Sequence, residues 1–134
     1  ETNGSGNNLV AYCFHSVDGY CKVGGYIGNG NAEGPKIETG FKPAFVLIKR
    51  VDSNFGGEWS IFDNVRNTTN PCNQLLAPDT SAAERTDLVT DFQSDGFRIR
   101  VAGDWQNQGG GEYIYLAFAE APTNAGFGAV VNAR

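Results

Sequence analysis

The sequence predicts an all-β domain: a two-layer antiparallel β-sandwich, of jelly-roll or concanavalin-like type, with little helix. Short apolar or alternating segments recur about every ten residues, as in sandwich folds. Glycine is abundant, with 18 of 134 residues, and supplies tight turns, while 12% aromatic residues favour strands. The sequence lacks the strand–helix–strand alternation that would indicate a parallel sheet. At this length, and with 40% hydrophobic residues, we expect a single domain with its own core.

The first third of the chain predicts an arm followed by a pair of strands. Residues 1–8 are polar and Gly-rich, which predicts a flexible arm, so the domain spans 9–122. Residues 9–14 form a short apolar run typical of a strand. Asp18 and Gly19 form a hairpin-type turn before a second strand at 20–27.

The middle of the chain predicts two strands and a long loop. Residues 44–50 are the most apolar segment, with large side chains on both pleat faces, which predicts a central strand covered on both sides. A strand follows at 58–63. The Asn-, Thr- and Pro-rich stretch 64–78 predicts an irregular surface loop, and 81–84 fits a capping box that starts a short helical turn.

The last third predicts a hairpin and a long strand. Residues 88–93 and 97–101 flank a Ser-Asp-Gly turn, with Arg98 and Arg100 on the outward face of the second arm. In the strand 112–120 we expect Ile114, Leu116 and Phe118 in the core, and Tyr113 and Tyr115 on the outward face with the two alanines. We expect residues 123–134 to form an extra strand or an assembly segment.

Charge excludes two classes of partner. The formal net charge is −5 at pH 7. Nucleic acid and anionic membrane surfaces both require a basic patch, so neither is an expected partner. No apolar run is long enough to span a bilayer. Methionine is absent, even at position 1, so we expect a processed product or a segment of a longer protein.

Few residues carry catalytic or metal chemistry. His15 is the single histidine, and the sequence has no Gly-x-Ser-x-Gly motif of a serine nucleophile. It also lacks the Cys-x-x-Cys pair that would indicate a zinc site. We therefore predict no catalytic residue, no metal and no cofactor. Cys13 and Cys21 flank the predicted first turn and are a candidate disulfide if the adjoining strands pair; the alternative is that these two and Cys72 are reduced thiols.

Aromatic side chains are the best indication of binding. Trp105 lies in a loop beside amide side chains, an arrangement suited to stacking on a sugar while amides bond its hydroxyls. The alternative for these rings is ordinary packing in the core. The candidate glycan-binding residues are Trp105, Gln106, Asn107 and Tyr20, and the candidate interface residues are Tyr113, Tyr115, Arg98, Arg100 and Phe127.

Several strings along the chain are distinctive. They are YCFHSVDGY at 12–20, GFKPAFVLIKR at 40–50, WSIFD at 59–63, DF at 91–92, GFRIR at 96–100 and YIYLAFAE at 113–120. Together they resemble an uncharacterised domain of tailed-phage virion proteins, often from marine phages, that occurs in tail or fibre-like proteins beside concanavalin-like domains. The resemblance covers about residues 9–122.

The resemblance implies a non-enzymatic structural domain of a virus particle, in a tail fibre, a head fibre or a capsid decoration protein. Its implied partners are further copies of the chain, other virion proteins and host surface glycans. Two other classes remain open. One is a carbohydrate-binding or glycan-cleaving module, and the other is an extracellular filament subunit that exchanges its apolar tail at 127–131.

Overall fold

The computed structural model describes residues 5–6, 8, 10–52, 57–103 and 105–122. Within these ranges the chain forms seven strands and no helix. The strands are β1 (Cys21–Ile27), β2 (Lys36–Glu38), β3 (Pro43–Arg50), β4 (Ser60–Asp63), β5 (Thr90–Gln93), β6 (Gly96–Ile99) and β7 (Glu112–Ala119).

The strands form two antiparallel sheets. The four-stranded sheet has the order β1-β7-β3-β4, and the three-stranded sheet has the order β2-β6-β5. Side chains from both sheets meet in one apolar core, so the all-β two-layer antiparallel sandwich that the sequence predicts is confirmed. The jelly-roll or concanavalin-like connectivity stays a prediction. The central position predicted for the segment around 44–50 is also confirmed, because β3 pairs with β7 on one side and β4 on the other. The predicted covering of both its faces is wrong, since Phe45 and Leu47 on the outer face are only half-buried.

The core is built from one face of each sheet. Phe97 of β6 is fully buried and meets Tyr115 of β7 edge to face, with the ring centroids 5.3 Å apart. Burying a side chain of this size contributes about 1.5–3 kcal/mol. Other large buried core side chains include Ile37, Val46, Ile48, Phe62, Leu75, Phe92, Ile99 and Tyr113.

The face predicted for the last strand is wrong. Tyr113 and Tyr115 are 2% and 7% exposed and lie in the core, whereas Ile114 is 43% exposed on the outer face. Tyr115 lies opposite Gly24, where a Cβ atom would come within 2.9 Å of the tyrosine ring, so the glycine makes the space for it. The buried hydroxyl of Tyr113 accepts a 2.9 Å hydrogen bond from the backbone N–H of Gln108, which offsets its loss of water.

Two further predicted elements are absent from the described residues. The segment 10–16 is irregular and not a strand, and Val10, Tyr12 and Phe14 are 80%, 84% and 55% exposed. An apolar run without a neighbouring strand has nothing to pair with. Residues 81–84 are exposed and do not form the predicted helical turn. A helical turn this short is not stable without packing against the rest of the protein.

Other elements match their predictions. The chain turns at Ser94 and Asp95 between β5 and β6, and the 64–78 stretch is irregular apart from isolated bridges. The three-residue strand β2 was not predicted. The predicted tail 123–134 lies outside the described residues, as does most of the arm 1–8.

Candidate functional site: two sheet faces and a polar cavity

The outer surface of the four-stranded sheet is apolar. Cross-strand register places Phe118 beside Phe45, and Leu116 between Val23 and Leu47. All these side chains are half-buried rather than covered. We define the apolar face as Val23, Phe45, Leu47, Ile61, Ile114, Leu116 and Phe118.

Aromatic residues from the segment before β1 extend this face at one end. The rings of Phe14 and Tyr20 meet Phe118 edge to face, with centroids 6.4 and 6.0 Å away, and Phe45 lies 6.0 Å from Phe118 on the other side. Phe14 and Tyr20 are still 55% and 50% exposed. The aromatic cluster is therefore only partly covered by its own chain.

The outer surface of the three-stranded sheet is charged and internally paired. The guanidinium of Arg100 lies 2.5 Å from a carboxylate oxygen of Glu33 and 3.3 Å from one of Asp91. The guanidinium of Arg98 lies 3.4 Å from the same Glu33 carboxylate. The outward orientation predicted for Arg98 and Arg100 is confirmed, but both cations already have carboxylate partners. Such a surface is well solvated and gains little from being covered by a protein.

The loop predicted to bind sugar is only partly available. Trp105 is 37% exposed, and the guanidinium of Arg85 stacks on its ring at 5.4 Å. Gln106 and Asn107 are fully buried, so their predicted role in bonding sugar hydroxyls is wrong. Asn107 faces inward because its amide bonds the backbone of two neighbouring loops.

Tyr20 cannot complete a site with Trp105. Tyr20 precedes β1, where its carbonyl accepts from Ala119, whereas Asn107 bonds Asn29 beyond the other end of β1. The seven residues of β1 separate these positions by about 23 Å. The four residues predicted to bind glycan are therefore not brought together.

The predicted disulfide does not form. Cys13 is exposed, Cys21 is buried, and both are free, as is Cys72. The reason is the register: the bridge at the turn joins Val17 to Cys21, and the Cys21 thiol donates to the carbonyl of His15. Phe127, the remaining predicted interface residue, lies outside the described residues.

A polar cavity of about 120 Å³ lies where three strand ends converge. Lys42 precedes β3, Asn64 follows β4 and Glu120 follows β7. The Glu120 carboxylate accepts from Lys42 at 2.9 and 3.1 Å and from the Asn64 amide at 2.7 Å. The hydrogen bond from Lys42 lowers the pKa of Glu120 below its ordinary value, so this carboxyl is ionised at neutral pH.

The loop 64–72 lines one side of the cavity and is held in place by hydrogen bonds to β5. The Asn70 side chain accepts from the backbone N–H of Phe92 at 2.9 Å and donates to its carbonyl at 2.7 Å. Cys72 exchanges two backbone hydrogen bonds with Thr90. The sequence indicated only a surface loop here. The density of Asn and Thr side chains was the available signal, but sequence gives no means of bringing them to Lys42 and Glu120.

The described ranges hold neither a metal-binding cluster nor a membrane-spanning helix. No group of three or more His, Cys, Asp or Glu residues is placed to hold a metal ion. No helix in this part of the chain is long and apolar enough to cross a bilayer.

Comparison with protein-family models finds a match over residues 1–122 to a domain of unknown function, DUF7483. The chain belongs to this family. The match covers every described residue, including both sheet faces and the cavity. Comparisons with curated proteins and with solved structures find no match. Membership of DUF7483 assigns no activity to the chain.

Proposed function

We propose that this DUF7483 domain is a non-enzymatic assembly module of a virus particle, and that its apolar face packs against the same face of a second copy. The observation that carries the proposal is the contrast between the two outer surfaces. One is charged and internally paired, whereas the other presents apolar side chains from four strands. Exposed apolar patches of this kind mark interaction sites.

The dimensions of the face suit a second copy as its occupant. Four strands of up to eight residues give a face of about 500 Å² at ordinary strand spacing. The exposed aromatic residues before β1 bring it closer to the roughly 800 Å² per partner of a standard interface. Two identical twisted apolar sheet faces can stack about 10 Å apart around a two-fold axis, as the two layers of a sandwich do.

The setting in a virus particle rests on the resemblance of the chain to tailed-phage virion domains. Copies of the chain and other virion proteins are the partners this implies, in a tail fibre, a head fibre or a decoration protein. Mass spectrometry of purified particles from the source of the gene tests this part. Peptides of the chain in intact particles support it, and their absence from particles that carry the gene contradicts it.

Assembly through the apolar face is tested by the mass of the protein in solution. We expect light scattering after size-exclusion chromatography to give a dimer or larger species for the wild type. Ile114→Lys places a charge on the apolar face and should give a monomer. Gln93→Lys adds the same charge on the outer surface of β5, where the partner does not contact, and should leave the mass unchanged.

Two results would contradict assembly through this face. One is a wild-type monomer at the highest soluble concentration. The other is an oligomer that survives Ile114→Lys unchanged. Circular dichroism and thermal melting of both variants ensure that a loss of mass reflects lost association rather than unfolding, since Ile114 is 43% exposed and tolerates substitution in the folded monomer.

A further inference from the structure

The polar cavity beside Lys42 has features that the assembly face does not use. Its two charged side chains, Lys42 and Glu120, pair with each other, so the cavity holds one ammonium and one carboxylate side by side with no net charge. Because the pair has no net charge, the cavity does not attract an ionic ligand. It presents a strong donor next to a strong acceptor, and charged groups form the stronger hydrogen bonds.

Some polar groups that line the cavity make no hydrogen bond within the described part of the chain. The hydroxyls of Thr68 and Thr69 and the side-chain carbonyl of Asn64 have no hydrogen-bond partner among the described residues. Neighbouring amides are instead engaged within the loop: Asn67 accepts from the backbone N–H groups of residues 73 and 74 at 3.1 and 2.8 Å. The loop is therefore fixed by some of its amides and leaves others, with two hydroxyls, available to a ligand.

The cavity also offers a small apolar contact. Phe92 and Cys72 contribute to its lining and are 5% and 2% exposed. Burial raises the pKa of the Cys72 thiol, so it is neutral at pH 7, and its S–H donates weakly to the side-chain oxygen of Asn70, 3.8 Å away. The cavity therefore combines a paired ammonium and carboxylate, free hydroxyls and a patch for carbon-bound hydrogens.

We propose that this cavity binds the edge of a single neutral sugar or cyclitol ring through two adjacent hydroxyls. One hydroxyl donates to the Glu120 carboxylate while its neighbour accepts from Lys42, and Thr68, Thr69 and Asn64 bond the remaining polar groups. One water needs about 10–15 Å³ of such space, so a cavity of about 120 Å³ has room for several polar atoms of a ring edge. A ligand of about twelve heavy atoms on an open site binds with a Kd in the millimolar range.

The test is a titration followed by amide chemical shifts, with methyl α-D-mannopyranoside and myo-inositol as probes. We expect saturable shifts for residues 64–72 and 120 with at least one of the two. Binding of the mannoside alone indicates a chain-end sugar, and binding of inositol indicates a free cyclitol. No saturable shift in these residues with either probe would overturn the proposal.

Matched variants separate this site from general surface effects. Glu120→Gln removes the charge but keeps the shape, and Thr68→Val replaces a hydroxyl by a methyl group. We expect Glu120→Gln to weaken binding about tenfold or more and Thr68→Val several-fold. Asp95→Asn breaks a comparable exposed pair, with Lys36 2.6 Å away on the other sheet, and should leave binding unchanged. Equal affinity in Glu120→Gln and Asp95→Asn would sink the assignment.

Discussion

At the residue scale, Asn107 shows how a side chain that the sequence assigned to a ligand serves the fold. Its Oδ1 accepts from the backbone N–H of Asn29 at 2.7 Å, and its Nδ2 lies 2.6 to 3.0 Å from three acceptors on Asn29, Asn31 and Val101. One amide therefore joins the loop after β1 to the loop after β6. The side chain is fully buried because the neighbouring backbone replaces water as its partner.

Truncation of this residue should cost stability rather than ligand binding. We expect Asn107→Ala to lower the free energy of unfolding by about 2–3 kcal/mol, because buried backbone groups would lose their hydrogen-bond partner. Gln108→Ala, on an exposed neighbour, should cost less than about 0.5 kcal/mol. Urea denaturation measures both changes. Equal stability of the two variants would show that the amide network contributes nothing.

At the element scale, β7 carries apolar side chains on both faces, and only one face enters the core. Tyr115 packs against Phe97, whereas Ile114 lies outside beside Lys49. Sequence alternation correctly separates the two sets but does not say which set is inside, because tyrosine and isoleucine suit either environment. Gly24 of β1 and the contact with Phe97 of the opposing sheet decide it, because Gly24 leaves room for the ring of Tyr115.

Substitutions in adjacent residues of β7 test this orientation. We expect Tyr115→Ala to lower the free energy of unfolding by about 3–5 kcal/mol, since it leaves a cavity against Phe97. Ile114→Ala should cost about 1 kcal/mol or less. Denaturation at low protein concentration, where the proposed dimer dissociates, makes the comparison. A larger loss of unfolding free energy for Ile114→Ala than for Tyr115→Ala would contradict this orientation of β7.

At the scale of the whole molecule, paired carboxyls and buried acids confine stability to a pH window. Hydrogen bonds from Lys36 and Lys42 lower the pKa of Asp95 and Glu120, and the Arg50 side chain lowers that of Asp52. Burial has the opposite effect on neutral acids and raises the pKa of Tyr26 and Tyr115.

The two groups act at opposite ends of the pH scale. A carboxyl with a lowered folded pKa stabilises the protein above its unfolded pKa of about 4 and loses this effect as the pH falls. A tyrosine with a raised folded pKa binds its proton more tightly when folded. Its stabilisation is complete below the unfolded pKa of about 10 and is lost as the pH rises further.

We therefore expect the free energy of unfolding to fall below about pH 4 and above about pH 10. Each buried tyrosine contributes up to about 1.4 kcal/mol per pH unit on the alkaline side. Tyr26→Phe should flatten the alkaline decline while leaving the acid decline as in the wild type, although it also removes the hydrogen bond to the Gln106 carbonyl. Denaturant titrations across pH measure both limbs. An unchanged alkaline slope in Tyr26→Phe would contradict this role for the buried hydroxyl.

The amino-acid sequence by itself determined the class of the fold and the positions of most strands, because turn residues and alternating apolar side chains are local features. It located the strands around 44–50 and 112–120, and it placed at 88–93 and 97–101 the hairpin that the structure forms from Thr90–Gln93 and Gly96–Ile99. Tertiary structure alone decided which face of β7 is buried and that Asn107 points inward. It also brought Lys42, Asn64 and Glu120 to one cavity from three strand ends. Those outcomes depend on pairing register and on contacts between residues far apart in the chain, which local pattern does not contain.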